Sequence, residues 1–369
     1  MKILLTDIHH GNGGGHATYI LSLLKGLSSD HSLTVSAPCS GRLYRAASAV
    51  GRARVLPGLF TSRPWPLAME VAELRRFLHR EQFDLVHVNG SADHRHVMLA
   101  RMGLPRPPRI VWTKHNVHPV TSLGHRLRAR FGTDAAVAVS AYVQQMLSRT
   151  DYTLRPIHVV RNGIDIDHFK PYDEQRRWRV RHALLGPVGR DALVLGSTGG
   201  TDLDKGWLDL VRAVAQLGAE EQRRIHIIVA GDKPRPEDCG RLMPQGFKAN
   251  LVFPGLLDDV RDVLGASDAG FVLSHKEALS YACREAMAMG LPVLVSDAGG
   301  LPENLEHDVH GWIVPKNSPR DIVAVVRQML HAPMLLRQRG QAARQRAGSE
   351  FCIVRFADRM EQVYRSVVQ

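Results

Sequence analysis

The residues of this chain best suited to chemistry lie between Phe271 and Glu303. Two carboxylates, Glu277 and Glu285, stand eight positions apart, the first in the loop His275-Lys276-Glu277 and the second inside the helical run Ala278–Met289. Ahead of them, Gly270-Phe271-Val272-Leu273-Ser274 has the unbroken apolar character of a strand buried on both faces. Behind them, Gly290-Leu291-Pro292 ends the helix, and a second strand leads to Ala298-Gly299-Gly300-Leu301-Pro302-Glu303. A helix N-terminus and a glycine turn thus fall at one end of a sheet. Backbone N–H groups and the helix dipole there suit a diphosphate. Eight residues at ~100° each offset the two carboxylates by roughly 80°. Glu277 precedes the regular helix, however, so both can point into one cleft at different depths. A phosphate repels a carboxylate, so Glu277 is better placed to accept hydrogen bonds from sugar hydroxyls and Glu285 from a ribose. Glu277 also has a plainer reading, as a charge that complements the helix dipole.

Gly11-Asn12-Gly13-Gly14-Gly15-His16 opens a helix but is not GxGxxG, because His16 takes the third glycine's place. No acidic residue in a ribose-binding context follows the next strand, Leu33–Ala37, which argues against a dehydrogenase. The loop, with Gly13 and Gly14, is expected to approach a donor sugar or phosphate through its backbone. Asp202-x-Asp204 and Asp165-x-Asp167 spell an acidic pair of the metal-binding kind, a pattern cheap to meet in a chain with 36 acidic residues. Cys39, Cys239, Cys283 and Cys352 are scattered without a CxxC pair, as in a reducing cytosol rather than in a disulfide or zinc framework.

These residues need elements to hold them. The chain of 369 residues suits two domains, and 44% hydrophobic with 23% charged residues suits a globular protein. In the first half, Ile3–Thr6, Leu33–Ala37, Leu85–Val88, Ile110–Lys114 and Ala135–Val139 read as strands, with helices at Ala17–Leu27 and Glu70–His79. The apolar run at the start is cut by Asp7, His9 and His10, which favours a first buried strand over a signal peptide. Residues 163–190 read as a linker plus a short helix. The rhythm then restarts with strands at Ala192–Ser197, Ile225–Gly231, Gly270–Ser274 and Pro292–Ser296. Helices follow at Trp207–Leu217, Val260–Leu264, Leu279–Met289 and Ser318–Leu330, and a last amphipathic helix runs from Ile353 to Val367. Alternation of this kind predicts parallel sheets covered on both faces, with ligands beyond the carboxyl ends of the strands.

The net charge of +12 is unevenly spread. Residues 1–170 hold 22 basic and 11 acidic residues, a surplus of +11, whereas the remainder is nearly balanced. Such a field suits an anionic partner or is simply solvated surface arginine. His125–Phe131, short and basic, and Leu59–Leu67, proline-bounded with two aromatics, are candidate membrane-surface segments.

The ordered set of motifs resembles the retaining GT-B glycosyltransferases of family GT4, some of which act on lipopolysaccharide core. Ser274-x-x-Glu277, Glu285-Ala286-Met287-Ala288-x-Gly290-x-Pro292-Val293 and Gly299-Gly300-x-Pro302-Glu303 are similar to the family's E-x7-E region. Phe83-Asp84-Leu85-Val86-His87, Thr113-x-His115-Asn116, Ala138-Val139-Ser140 and Arg161-Asn162-Gly163-Ile164-Asp165 resemble further blocks, in order, and Gly13-Gly14 resembles the N-terminal glycine loop. The resemblance implies two Rossmann-like doubly wound α/β domains facing a cleft. Residues 1–165 would bind the acceptor, with a C-terminal helix at 352–369 packing back near them, and residues 166–351 would bind the nucleotide sugar.

The resemblance also implies roles. Lys205, in Asp204-Lys205-Gly206-Trp207, matches the lysine that neutralises the donor diphosphate; Ala278, Leu279 and Ser280 would supply amides, with Gly300 and Glu285 completing the donor site. Glu277 would act on the sugar and His115 across the cleft near sugar or acceptor. The family's usual arginine is replaced by Gly200, so that phosphate contact falls to other groups. No metal or other cofactor is implied. The expected reaction is retaining transfer of a sugar, of hexosyltransferase type, from a nucleotide-diphosphate sugar (UDP favoured) to a bacterial envelope glycolipid such as lipopolysaccharide. The expected location is the cytoplasm, peripheral to the inner membrane face. A nucleotide-sugar epimerase of the same fold, or a degenerate non-catalytic binding protein, stays open at this point. Nothing suggests a nucleic-acid partner beyond charge.

Overall fold

The computed structural model of the chain describes residues 1–11, 14–58, 60–235, 237 and 242–369. Gly13, Leu59 and Cys239 lie outside the described residues. The chain divides into two compact units: Met1–Gly163 with Ile353–Gln369, and Ile164–Cys352. The first break falls two residues before the boundary expected from the sequence.

The first unit is laid out as β1 (Lys2–Thr6), α1 (Gly15–Gly26), β2 (Ser32–Ala37), α2 (Arg42–Val50), β3 (Arg54–Pro57), α3 (Pro64–Glu81), β4 (Leu85–Val88), α4 (Ser91–Arg101), β5 (Arg109–Lys114), α5 (Leu123–Phe131), β6 (Ala135–Ala138), α6 (Ala141–Leu147) and β7 (Ile157–Val159). Its sheet runs β3-β2-β1-β4-β5-β6-β7, every pair parallel. Ile3, Leu4 and Leu5 are fully buried, as a central strand between two helical layers requires.

The second unit runs α7 (Glu174–Leu185), β8 (Leu193–Ser197), α8 (Trp207–Val214), α9 (Ala219–Arg223), β9 (Ile225–Ala230), β10 (Asn250–Gly255), α10 (Arg261–Ala266), β11 (Ala269–Val272), α11 (Tyr281–Ala288), β12 (Val293–Ser296), β13 (Gly311–Val314), α12 (Pro319–His331) and α13 (Pro333–Glu350). Its sheet order, β10-β9-β8-β11-β12-β13, repeats that of the first six strands of the first unit. Trp207, Phe271, Leu294 and Trp312 pack in one core, and Cys283, Met287, Val293 and Phe351 in another.

The last helix, α14 (Ile353–Val368), returns to the first unit. The Tyr19 hydroxyl donates to Met360 Sδ (3.4 Å), and Tyr364 Oη lies 2.6 Å from His87 Nδ1. Gly26 makes this approach possible, since a Cβ there would stand 2.6 Å from the Ile353 side chain.

In both sheets the strand order reverses between two neighbours, β1 and β4 in the first unit and β8 and β11 in the second. Connections leave such a pair in opposite directions and open a crevice beyond the strands' carboxyl ends.

Two local expectations are corrected. The helix expected at Leu279–Met289 begins at Tyr281, because Ser280 takes a positive φ of 88° and caps it, its Oγ accepting from Cys283 N (3.3 Å). The aromatics expected in one surface loop at Leu59–Leu67 part company. Phe60 is buried against His96, whereas Pro64 and Trp65 form the first turn of α3 with Trp65 79% exposed.

Candidate active site

In the second unit, three loops leave the carboxyl ends of β8, β11 and β12 and converge. The first carries Thr198–Thr201 and a short 3-10 turn, Leu203–Lys205; the second Leu273–Ser280; the third Ala298–Gly300 and a 3-10 turn, Leu301–Asn304. They are tied by backbone bonds: His275 N donates to Asp204 O (2.8 Å), and Gly300 N to Glu277 O (3.0 Å). Trp207 Nε1 donates to Thr201 O (2.7 Å), and the Ser296 hydroxyl to Ser274 O (2.6 Å).

Lys205 Nζ stands 3.3 Å from Glu277 Oε2. The lysine comes from the loop after β8 and the glutamate from the loop after β11, the two strands that flank the switch point. Both side chains are partly exposed, so the pair is a wet one and contributes little to stability by itself. What it provides is an ammonium and a carboxylate at one place, next to the loop Ala278–Ser280. Glu285, one turn into α11, accepts from the Thr198 hydroxyl (3.4 Å). Gly300 is held by Glu277 as above. Gly200 has φ +95°, and nothing lies within 4 Å of where a side chain would begin, so the place of the family's usual arginine is open space.

Arg284 and Asn304 were not singled out from the sequence. Arg284 is fully buried, its Nε donates to Asn304 Oδ1 (2.7 Å), and its guanidinium lies 4.0 Å from the centre of the Phe351 ring. Asn304 Nδ2 donates in turn to Leu279 O (2.5 Å) and Leu301 O (3.0 Å). One buried amide therefore holds the Ala278–Ser280 loop to the turn after β12. Asn304→Ala is expected to cost about 2 kcal/mol, because it strips two buried carbonyls of a donor and removes one acceptor of a buried guanidinium. A urea titration checks it; an unchanged midpoint would mean that the loop is held by other contacts.

The remaining expected residues belong to the first unit. Gly14, at φ +111°, precedes α1. His115 follows β5, and its Nε2 hydrogen-bonds Asn89 Oδ1 (2.9 Å) at the end of β4. Its ring packs edge-on to Tyr19 (4.6 Å) and lies 4.2 Å from His16. Burial, and then the neighbouring His16, hold its pKa well below the usual imidazole range, so His115 is neutral. Lys114 beside it is tied to Asn116 Oδ1 (2.6 Å) and His118 O (2.7 Å), and burial lowers its pKa to about 8. His87 lies deeper, between Tyr364 and Thr113, as a structural core group.

Two Rossmann-type sheets of one strand order in a single chain, each opening at its switch point, define the GT-B glycosyltransferase fold. Residues 189–346 match the family Glycosyl transferases group 1, and residues 13–168 match Glycosyltransferase Family 4. The chain belongs to these glycosyltransferases. Relatives include the N-acetyl-alpha-D-glucosaminyl L-malate synthase of Bacillus anthracis, 24% identical over 84% of this chain and 82% of that one. The alpha-maltose-1-phosphate synthase of Mycobacterium tuberculosis is 25% identical over 97% of this chain and 96% of its own. Among solved structures, Anabaena Alr3699/HepE in complex with UDP-glucose shares the fold at a TM-score of 0.78, with 21% identity over 99% of this chain and 100% of that chain.

Proposed function

We propose that this glycosyltransferase moves a sugar, with retention, from a UDP-sugar to a bacterial envelope glycolipid of the lipopolysaccharide kind. The observation that carries the reading is the Lys205–Glu277 pair beside the Ala278–Ser280 loop at the second unit's switch point. Lys205 and the loop amides would meet the diphosphate, so that charge developing on the leaving nucleotide falls against fixed donors. Glu277 would accept from sugar hydroxyls and Glu285 from the ribose. With retention, the leaving diphosphate itself assists deprotonation of the acceptor on the same face. His115, neutral, would hydrogen-bond the sugar or the acceptor rather than carry charge. UDP is favoured by the Anabaena protein, which was solved with UDP-glucose.

Thermal stability in the presence of UDP, GDP, ADP and TDP tests the donor site. A nucleotide at ~100 times its Kd adds roughly 2.7 kcal/mol. UDP is expected to shift the wild type, and Lys205→Ala to weaken binding by roughly tenfold to a hundredfold, the worth of a charge-assisted contact. A shift of equal size in Lys205→Ala would remove Lys205 from the donor site. Turnover of the donor without nucleotide release would favour an epimerase.

The glycolipid acceptor draws on a surface of the first unit. Leu123, Leu127 and Phe131 recur every four residues along α5 and are 68%, 43% and 50% exposed, interleaved with Arg126 and Arg130. Among the described residues no helix is long and apolar enough to cross a membrane. A basic helix with an exposed apolar ridge suits attachment to an anionic bilayer. Co-sedimentation at low salt is expected to be stronger with anionic than with neutral liposomes, and reduced in Leu127→Ser/Phe131→Ser. Equal binding to both lipids would sink the membrane reading.

A further inference from the structure

A second group of chemically able side chains gathers at the first unit's switch point and includes neither Lys205 nor Glu277. Asp7 follows β1 directly, and its backbone N–H is fixed by Ser36 O (3.0 Å). Its carboxylate is fully buried. Oδ1 lies 2.7 Å from His9 Nδ1 and 3.8 Å from His16 Nδ1, and the two imidazole rings are 4.1 Å apart. One ligand atom from each of the three residues lies within 4.8 Å of the others. Asp7 Oδ2 and His16 Nδ1 are buried and have no hydrogen-bond partner among the described residues.

A buried carboxylate oxygen and a buried imidazole nitrogen without partners are costly, and both are relieved by one cation set between them. We propose that Asp7, His9 and His16 form a binding site for a divalent cation of the zinc class. Two imidazoles and one carboxylate are the donors such ions prefer, whereas magnesium and calcium take oxygen alone. Ligand atoms around tetrahedral zinc, each ~2.0–2.1 Å from the metal, stand about 3.4 Å apart. The separations of 2.7 and 3.8 Å fall on either side of that figure and the third is within 4.8 Å, so changes in separation of up to about 1.4 Å bring the three atoms into place. The His9 side chain is 44% exposed, which gives the ion a path in. Three protein ligands leave the fourth position to water or to an oxygen of a bound substrate. The site uses none of the second unit's donor-site residues, and His16 brings it to within 4.2 Å of the His115 ring.

The test is metal binding by the full chain, stripped with EDTA and titrated with Zn2+ or Co2+ alone. One tight equivalent per chain is expected. The Co2+ form is expected to show the visible absorption of a low-coordinate ion. His9→Gln and His16→Gln should each abolish that equivalent, whereas the exposed His79→Gln should leave it intact. Asp7→Asn should weaken it; because that residue is buried, His9→Gln, at a half-exposed position and checked by circular dichroism for a native fold, decides if the aspartate variant does not fold. Binding that survives both histidine changes, or no stoichiometric binding in the wild type, overturns the proposal.

Discussion

Gly206→Ala is expected to lower the stability of the second unit by about 4 kcal/mol, the sum of overpacking and left-handed strain. Gly206 sits between the Leu203–Lys205 turn and α8 with φ 74° and ψ 9°. A methyl group there would lie 1.9 Å from Leu273 O and 2.4 Å from its carbonyl carbon. Neither neighbour is a flexible side-chain end; both are the backbone that leads out of β11. The turn must therefore move away from β11, and Lys205 moves with it. For a unit of this size the melting midpoint should fall by roughly 8–16 °C, and nucleotide protection should vanish. Gly200→Ala is the control. That residue is also at positive φ, but its surroundings are open, so only the strain of about 1 kcal/mol applies. A midpoint for Gly206→Ala no lower than that of Gly200→Ala would show that the backbone yields where the geometry says it cannot.

The first unit should fail in mild acid. His87 and His94 are fully buried, and burial lowers the pKa of each from 6.5 to about 3. Their folded pKa lies below the unfolded one, so between these values the unfolded chain binds more protons. The stability that each contributes is complete above pH 6.5 and is lost as pH falls towards 3. At 1.36 kcal/mol per unit, each should have lost about 2 kcal/mol by pH 5, or about 4 kcal/mol together. His94 shows why the proton is unwelcome. Nε2 already donates to Gly132 O (2.8 Å), while Nδ1 is buried with no acceptor among the described residues. Its ring stacks on Trp112, which provides a fluorescence reporter. His94→Gln, able to donate to Gly132 O without titrating, should remove the share of that one group, about 2 kcal/mol of the loss between pH 7 and 5. A Trp112 midpoint that is flat over that range, or a slope unchanged in His94→Gln, would contradict the assignment.

Much of the sheet architecture was legible because buried parallel strands write unbroken apolar runs. Leu85–Val88 is read from the sequence at its observed ends, and Ile110–Lys114 within one residue. The strands that escaped, β3, β7 and β10, lie at sheet edges and are only partly buried, so their apolar runs are absent or, as Leu251–Phe253 in β10, cut short by a polar residue and a proline. β13 escaped for another reason: it is four residues long and opens on a glycine. At the site, Lys205 and Glu277 are visible as residues in two loops, but their meeting, 72 positions apart in the chain, is a consequence of strand order. Arg284 and Asn304 carry no signal at all, since a buried arginine on a helix reads as a surface one until its acceptor, 20 residues away, is placed. Asp7, His9 and His16 are conspicuous in sequence only as interruptions of an apolar run and of a glycine loop.

The return of α14 has a bearing on synthesis. The hydroxyl of Tyr364 and the ring of His87 are 277 residues apart in the chain, and Tyr19 and Met360 are 341 apart. The second unit lies wholly between the first break and α14. A ribosome adding about 5–20 residues per second needs on the order of ten seconds or more to pass from Gly163 to Ile353. During that interval the nascent first unit carries an uncovered groove lined by Tyr19, His87 and Gly26, while the second unit, a continuous segment, can close behind it. The older half of the polypeptide is thus the last to be completed, and it is the half that a chaperone would have to shield.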